Sequence, residues 1–203
     1  SMSDIDFYYD VVCPYAYLGA CKIQNLDAKV NWKPILLGGI FRNNKSPDIP
    51  ARSWAISKAR YGLIDLMRES KKQGKEIRYH PLHPVRTVEA MRLLSMLDPE
   101  DVPRVSLRIF NAYWEEGLDI SKPLVLNSIA QEMGLAENLF DHPAAKERLF
   151  IQTQKAHNIG VFGVPTMANG TRIWWGQDRM HLVAQSLGAV KKSFSDGTMP
   201  EET

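Results

Sequence analysis

The residue best suited to chemistry is a thiol. In "FYYDVVCPYAYLG", Phe7 to Gly19, an apolar run ends at Cys13 and Pro14 follows at once. A redox protein would place a second cysteine three positions on, where this chain has Ala16. The other cysteine is Cys21. If a helix runs from Pro14, eight residues of about 1.5 Å rise set the two thiols about 12 Å apart. A disulfide needs Cα atoms within about 7 Å, so Cys13 has no local partner. A thiol opening a helix is expected to be acidic, because the dipole and the unpaired amides favour the thiolate. Such sites reach pKa values of roughly 3.5–7.5. Two chemistries follow. Cys13 either attacks a disulfide and waits for an outside thiol to release it, or it holds and activates the sulfur of a bound ligand. A buried structural thiol is the bland alternative. Cys21 falls one turn after Tyr17 and Leu18 on an apolar stripe and is expected to be buried and inert.

Other polar candidates carry less. His80 and His83 are flanked by prolines in "RYHPLHPV". With no third ligand candidate nearby, a metal site is not expected. Asp178, in "QDRMHLV", sits where an aspartate caps a helix. Trp174 and Trp175 are adjacent, so a strand there turns one ring to the core and the other toward a cleft.

The elements that must position Cys13 are legible from pattern. Residues 4–12, "DIDFYYDVV", are aromatic and β-branched and predict a strand. Pro14 suits a first helical position, and "PYAYLGACKIQNLDAK" predicts a helix to about Ala28. "VNWKPILL", 30–37, predicts a second strand, with Pro34 favouring an edge or a bulge. "GGIFRNNKSPDIPARS", 38–53, is rich in Gly, Asn and Pro and predicts a connection. Helical spacing follows in Ile56, Ala59, Leu63, Leu66 and Met67, up to "KKQGKE". Further helices are predicted in "TVEAMRLLSML", "PRVSLRIFNAYWEEG", "PLVLNSIAQEMG" and from about Ala144 to Asn158, with prolines at starts and glycines at stops. Then "PTMA", "NG" and "TRIWW" form a hairpin signature, and "QDRMHLVAQSLGAV" predicts a closing helix. The order is β-α-β, a helical block, then β-β-α. That predicts an α/β thioredoxin-like fold with an inserted all-helical domain, divided as residues 1–50, 51–158 and 159–203.

Composition narrows the partners. The chain has 203 residues, 44% hydrophobic and 24% charged, enough for a core. A net charge of +2 does not favour nucleic acid. No apolar run reaches the ~18–20 residues of a membrane span, and the start, "SMSDIDFYYD", has no secretory pattern. Ser1 ahead of Met2 reads as an expression remnant. A cytoplasmic setting is expected.

Three stretches carry a resemblance: "FYYDVVCPYAYLG", "LLGGIFRNNKSPDIPAR" and "GVFGVPTMANGTRIWWGQDRM". They resemble the 2-hydroxychromene-2-carboxylate isomerases and their kappa-class glutathione transferase relatives, in the DsbA-related branch of the thioredoxin superfamily. The resemblance spans the whole chain. It implies glutathione as cofactor and a small aromatic substrate; dimerisation is common in such relatives and is not legible here. It places Cys13, where the family usually has serine, against the glutathione sulfur. It implies that Asn44 and Arg52 hold the peptide, Arg52 at the glycine carboxylate. The Val164 backbone would pair with the cysteinyl amide beside a cis Pro165. Gln177 and Asp178 would hold the γ-glutamyl end, with Asp178 on its ammonium. Tyr15 and Arg86 would face the second substrate, Arg86 at an aromatic acid's carboxylate. The implied activity is a glutathione-dependent isomerase on an aromatic enone acid, or a glutathione transferase on a related electrophile. Cys13 itself keeps the alternative open, a monothiol thiol-disulfide oxidoreductase.

Overall fold

The computed structural model describes residues 4–43 and 55–196. β1 (Asp4–Tyr9) leads through α1 (Pro14–Ile23) to β2 (Lys29–Pro34) and α2 (Leu37–Asn43). Five helices follow: α3 (Ile56–Lys72), α4 (Val88–Ser95), α5 (Val102–Trp114), α6 (Pro123–Glu132) and α7 (Ala145–Asn158). The hairpin β3 (Thr166–Asn169) and β4 (Arg172–Trp175) and the helix α8 (Met180–Asp196) close the chain. The sheet runs β2-β1-β3-β4. β1 pairs parallel with β2 and antiparallel with β3, which pairs antiparallel with β4. This is the predicted thioredoxin-type order around a helical insertion. The hairpin turns at Gly170–Thr171, between the paired Asn169 and Arg172, with Gly170 at φ +60°, as the first position of a two-residue primed turn requires.

Several predicted boundaries move; the strands predicted over 4–12 and 30–37 end at Tyr9 and Pro34. α1 stops at Ile23 rather than near Ala28, because residues 25–28 close tight turns onto Lys22, Ile23 and Leu26 before β2 begins. The predicted connection opens as a helix, α2, despite Gly38 and Gly39. Its missing caps come from distant elements. The Leu37 amide donates to Asp10 Oδ2 at 2.9 Å, and the Leu36 amide to Thr153 Oγ1 at 3.0 Å. Leu37, Ile40 and Phe41 are buried on one face. Gly39 is there for closeness: a Cβ would lie 3.1 Å from Thr153 Cγ2 of α7.

α5 joins the insertion to the sheet. Its residues Val105, Ile109, Phe110, Tyr113 and Trp114 are fully buried. Phe110 stacks on Tyr17 of α1 at 5.2 Å between ring centres. The Tyr9 and Ser106 hydroxyls are hydrogen-bonded, and Trp114 Nε1 donates to the Val11 carbonyl at 2.8 Å. The loop that delivers Cys13 is thus fixed from both the strand and the insertion. α3 differs. Among its described residues Leu66 and Ser70 are buried, while Ile56, Leu63 and Met67 of the predicted stripe are exposed. No helix among the described residues is long and apolar enough to cross a membrane.

Candidate active site

The loop between β1 and α1 is built around Asp10. This carboxylate is only 1% exposed. Its Oδ1 accepts from the Val12 amide at 3.1 Å and the Thr87 hydroxyl at 2.9 Å, and its Oδ2 accepts from Leu37. One buried side chain therefore ties the Cys13 loop to the starts of α2 and α4. Burial pushes its carboxyl up, against the three donors that pull it down. The signal in the sequence was an acid inside an apolar run, which must find partners when buried.

Cys13 follows as the N-cap of α1, in extended conformation, with Pro14 at the first helical position. It is partly exposed and free. Its thiol donates to the Val164 carbonyl at 3.5 Å. The expected acidity is overturned. Burial pushes the thiol up to about 11, and the nearby Asp10 carboxylate adds to the rise. The Tyr15 and Ala16 amides do pull it down, as a helix terminus should, but burial outweighs them. Cys21 is half-buried rather than buried, and burial raises its thiol as well.

Cys13 and the cis-proline loop come together as expected. The Val164–Pro165 bond is cis, and so is His83–Pro84. Helix α1 reaches this loop at Gly19, where a Cβ would sit 3.1 Å from Pro165 Cγ and 3.3 Å from its Cβ. The Pro165 carbonyl accepts from the Gly176 amide at 2.9 Å, which leads into the short turn Gln177–Arg179. Gly176 needs its positive φ of +110°, and a Cβ there would strike Asp178 Oδ1 at 2.5 Å.

The remaining predicted residues divide. Asp178 is exposed, with Arg179 at 3.8 Å, so its carboxylate is open to a ligand. Gln177 is buried: its amide nitrogen donates to Glu69 Oε2 at 3.2 Å, and Lys22 Nζ donates to its carbonyl. Its Oε1 is buried with no hydrogen-bond partner among the described residues. Its amide thus joins α3 to the turn before α8. The Tyr15 hydroxyl donates to Asp65 Oδ2 at 2.9 Å and the Gly62 carbonyl at 3.3 Å, and is held by α3. Asn44 and Arg52 lie outside the described residues. Of the histidines, His80 Nδ1 accepts the Leu82 amide and His83 Nδ1 is bonded to the Tyr113 hydroxyl. Trp174 is the core ring, and Trp175 is exposed, packed on Phe162. Tyr79 had no sequence signal. It is stacked edge-on against Trp114; burial raises its hydroxyl, and the nearby Cys13 adds to the rise.

A cavity of about 500 Å³ opens beside the same loop, against Asp10 and Val12. That volume is in the range of small-molecule sites. Arg86 is on its rim, highly exposed, with Nε 3.2 Å from both Glu89 carboxylate oxygens. Arg42 and Arg92 also line it.

The family model for the DSBA-like thioredoxin domain matches residues 4–188. The chain belongs to this family, in the branch of the 2-hydroxychromene-2-carboxylate isomerases and kappa-class glutathione transferases. It is similar to glutathione S-transferase kappa 1 of Rattus norvegicus, 31% identical across 91% of this chain and 90% of that one. It is similar to 2-hydroxychromene-2-carboxylate isomerase of Pseudomonas putida, 25% identical across 95% and 98%. A solved structure of a 2-hydroxychromene-2-carboxylate isomerase superimposes with a TM-score of 0.84 at 23% identity, over 97% of this chain and all of that one. Its likeness supports the fold.

Proposed function

We propose that the protein is a glutathione-dependent isomerase acting on an aromatic enone acid of the 2-hydroxychromene-2-carboxylate type, or a glutathione transferase on a related electrophile. The observation that carries the reading is the state of Cys13. Its thiol stands at the start of α1 and donates to the Val164 carbonyl at 3.5 Å, and burial raises its pKa, so that at neutral pH it is a hydrogen-bond donor and a poor nucleophile. It does what a serine hydroxyl would do at that position, which is to offer a proton to a sulfur anion at the helix terminus.

The residues present fit glutathione. The Val164 carbonyl, already accepting from Cys13, stands beside Pro165 where an extended peptide can pair with backbone. The exposed Asp178 carboxylate suits an ammonium. The chemistry glutathione supplies when bound is reversible thiol addition across a conjugated double bond, which lets that bond rotate. Cys13 would hold the sulfur by donating its proton without losing it. Asp10 would keep the loop in place through its three donors and hold Cys13 protonated. The cavity against Val12 would take the aromatic acid, with Arg86 on its rim for the carboxylate. Tyr15, with its hydroxyl turned to Asp65, would present its ring rather than its oxygen.

A second reading has one observation in its favour: Cys13 is free and partly exposed. As a monothiol oxidoreductase the protein would form a mixed disulfide with glutathione. Two assays on the purified protein separate the readings. We expect isomerisation of 2-hydroxychromene-2-carboxylate that depends on added glutathione, with little reduction of a glutathione mixed disulfide. Efficient disulfide reduction without isomerisation or conjugation would install the second reading in place of the first.

A further inference from the structure

A second cavity, of about 530 Å³, adjoins the one beside Val12 and lies between α2, α4 and α7. The two share a wall made of Leu36, Arg42, Val88 and Arg92. On the far side of that wall the lining is mostly apolar. Leu149 is buried there, and Phe150 stands at the lip, 66% exposed. Three cations face it, Arg42, Arg92 and Lys146, against one exposed carboxylate, Glu147.

The two arginines are the unusual part. Among the described residues neither guanidinium has a hydrogen-bond or ion-pair partner, and Arg92 Nε is buried without one. Arg42 is exposed, but a buried charged donor left unmade, as at Arg92 Nε, is costly and calls for a ligand. Arg42 lies back along its own helix over Gly38 and Gly39. Its guanidinium nitrogens are 3.7 Å from where a Gly38 Cβ would be and 4.0 Å from where a Gly39 Cβ would be. Two guanidinium groups on one shared wall suit a carboxylate. An apolar floor with an exposed phenyl ring at its edge matches a hydrocarbon body.

We propose that this second cavity binds an amphipathic monocarboxylate, a medium-chain acyl or arylalkyl acid. Its carboxylate lies on Arg42 and Arg92 and its apolar body along Leu149 and Phe150. The occupant is separate from glutathione, and the site stands whether or not the chain is an isomerase.

Calorimetric titration of octanoate into the full chain tests it, with 1-octanol as the uncharged probe of the same body. Octanoate should bind in the submillimolar range and at least tenfold more tightly than octanol. Arg92→Gln should weaken octanoate about tenfold and bring it near octanol. Phe150→Ser should weaken both probes and leave the glutathione titration unchanged. Should Arg92→Gln lose its circular dichroism signature, the exposed Lys146→Glu replaces it, with a weakening of several-fold expected. Equal affinity for octanoate and octanol, octanoate binding unchanged in these variants, or no binding at several millimolar would overturn the proposal. So would displacement of octanoate by saturating glutathione, which would put the acid beside Cys13 instead.

Discussion

Substituting Gly19 by alanine adds one methyl group where α1 meets the cis-proline loop. That methyl would lie 3.1 and 3.3 Å from two carbons of the Pro165 ring and 3.6 Å from Gln177 Cβ. Non-bonded carbons prefer about 3.5–4.0 Å, so helix and loop must part by roughly 0.5 Å. The proline ring cannot rotate aside, and its carbonyl is held by the Gly176 amide. Overpacking of this kind costs about 1–3 kcal/mol. Alanine returns about 1 kcal/mol through its better helix propensity. The net loss is roughly 0–2 kcal/mol, or a melting temperature lower by up to about 8 °C in a chain of this size. Function should suffer more than the fold. The same displacement draws the Val164 carbonyl away from Cys13 Sγ, now 3.5 Å off. Loss of one hydrogen bond's worth of alignment, about 1.4 kcal/mol, corresponds to about tenfold in glutathione affinity. Differential scanning fluorimetry and calorimetric titration read the two effects. Gly188→Ala is the control, because a Cβ at that exposed position of α8 meets nothing within 4 Å, and it should stabilise by about 0.5–1 kcal/mol. Undiminished glutathione affinity in Gly19→Ala, at parental stability, would refute the view that this close approach sets the site.

The ionisation of Cys13 is open to direct titration. In a Cys21→Ser background, alkylation of Cys13 by iodoacetamide should rise with pH to a midpoint near 11, and a midpoint near 7 would restore the acidic thiol. An unfolded thiol titrates near 8.5, so the folded value is raised. The stability that the protonated Cys13 contributes is then fully present below about pH 8.5 and is lost as pH rises toward 11. Asp178→Ala should weaken glutathione by about 1.5–3 kcal/mol, the range for a hydrogen bond to a charged group. Unchanged affinity by calorimetry would remove Asp178 from the ligand's ammonium.

What the sequence made legible were features fixed by neighbours along the chain. Pro14 after a strand, the hairpin turn at Gly170 and the prolines at helix starts all act locally, and the elements they mark are where they were expected. Ala16 settled the absence of an internal disulfide partner for the same reason. The misses have distant causes. Gly38 and Gly39 argue against a helix until Asp10 and Thr153 supply its first hydrogen bonds from 27 and 117 residues away. The helix dipole at Cys13 is local and was read correctly in sign. The burial that outweighs it comes from packing, which spacing does not disclose. Arg86 came from the resemblance alone, and the fold sets it on the cavity rim bonded to Glu89. Arg42 and Arg92 share a wall only because α2 and α4 both pack against α7, and Tyr79 comes near Cys13 only in the folded chain.

The central claim is that Cys13 works as a proton donor to a bound sulfur and not as a nucleophile. Serine keeps a donor at that position, whereas alanine removes it, so the two replacements answer the question together. Glutathione-dependent isomerisation of 2-hydroxychromene-2-carboxylate should survive in Cys13→Ser within about tenfold and fall by roughly 10²–10³ in Cys13→Ala, the loss typical of a removed anion-stabilising donor. Loss of that activity in Cys13→Ser, in protein that still binds glutathione by calorimetry, would contradict the account and make Cys13 the attacking thiol.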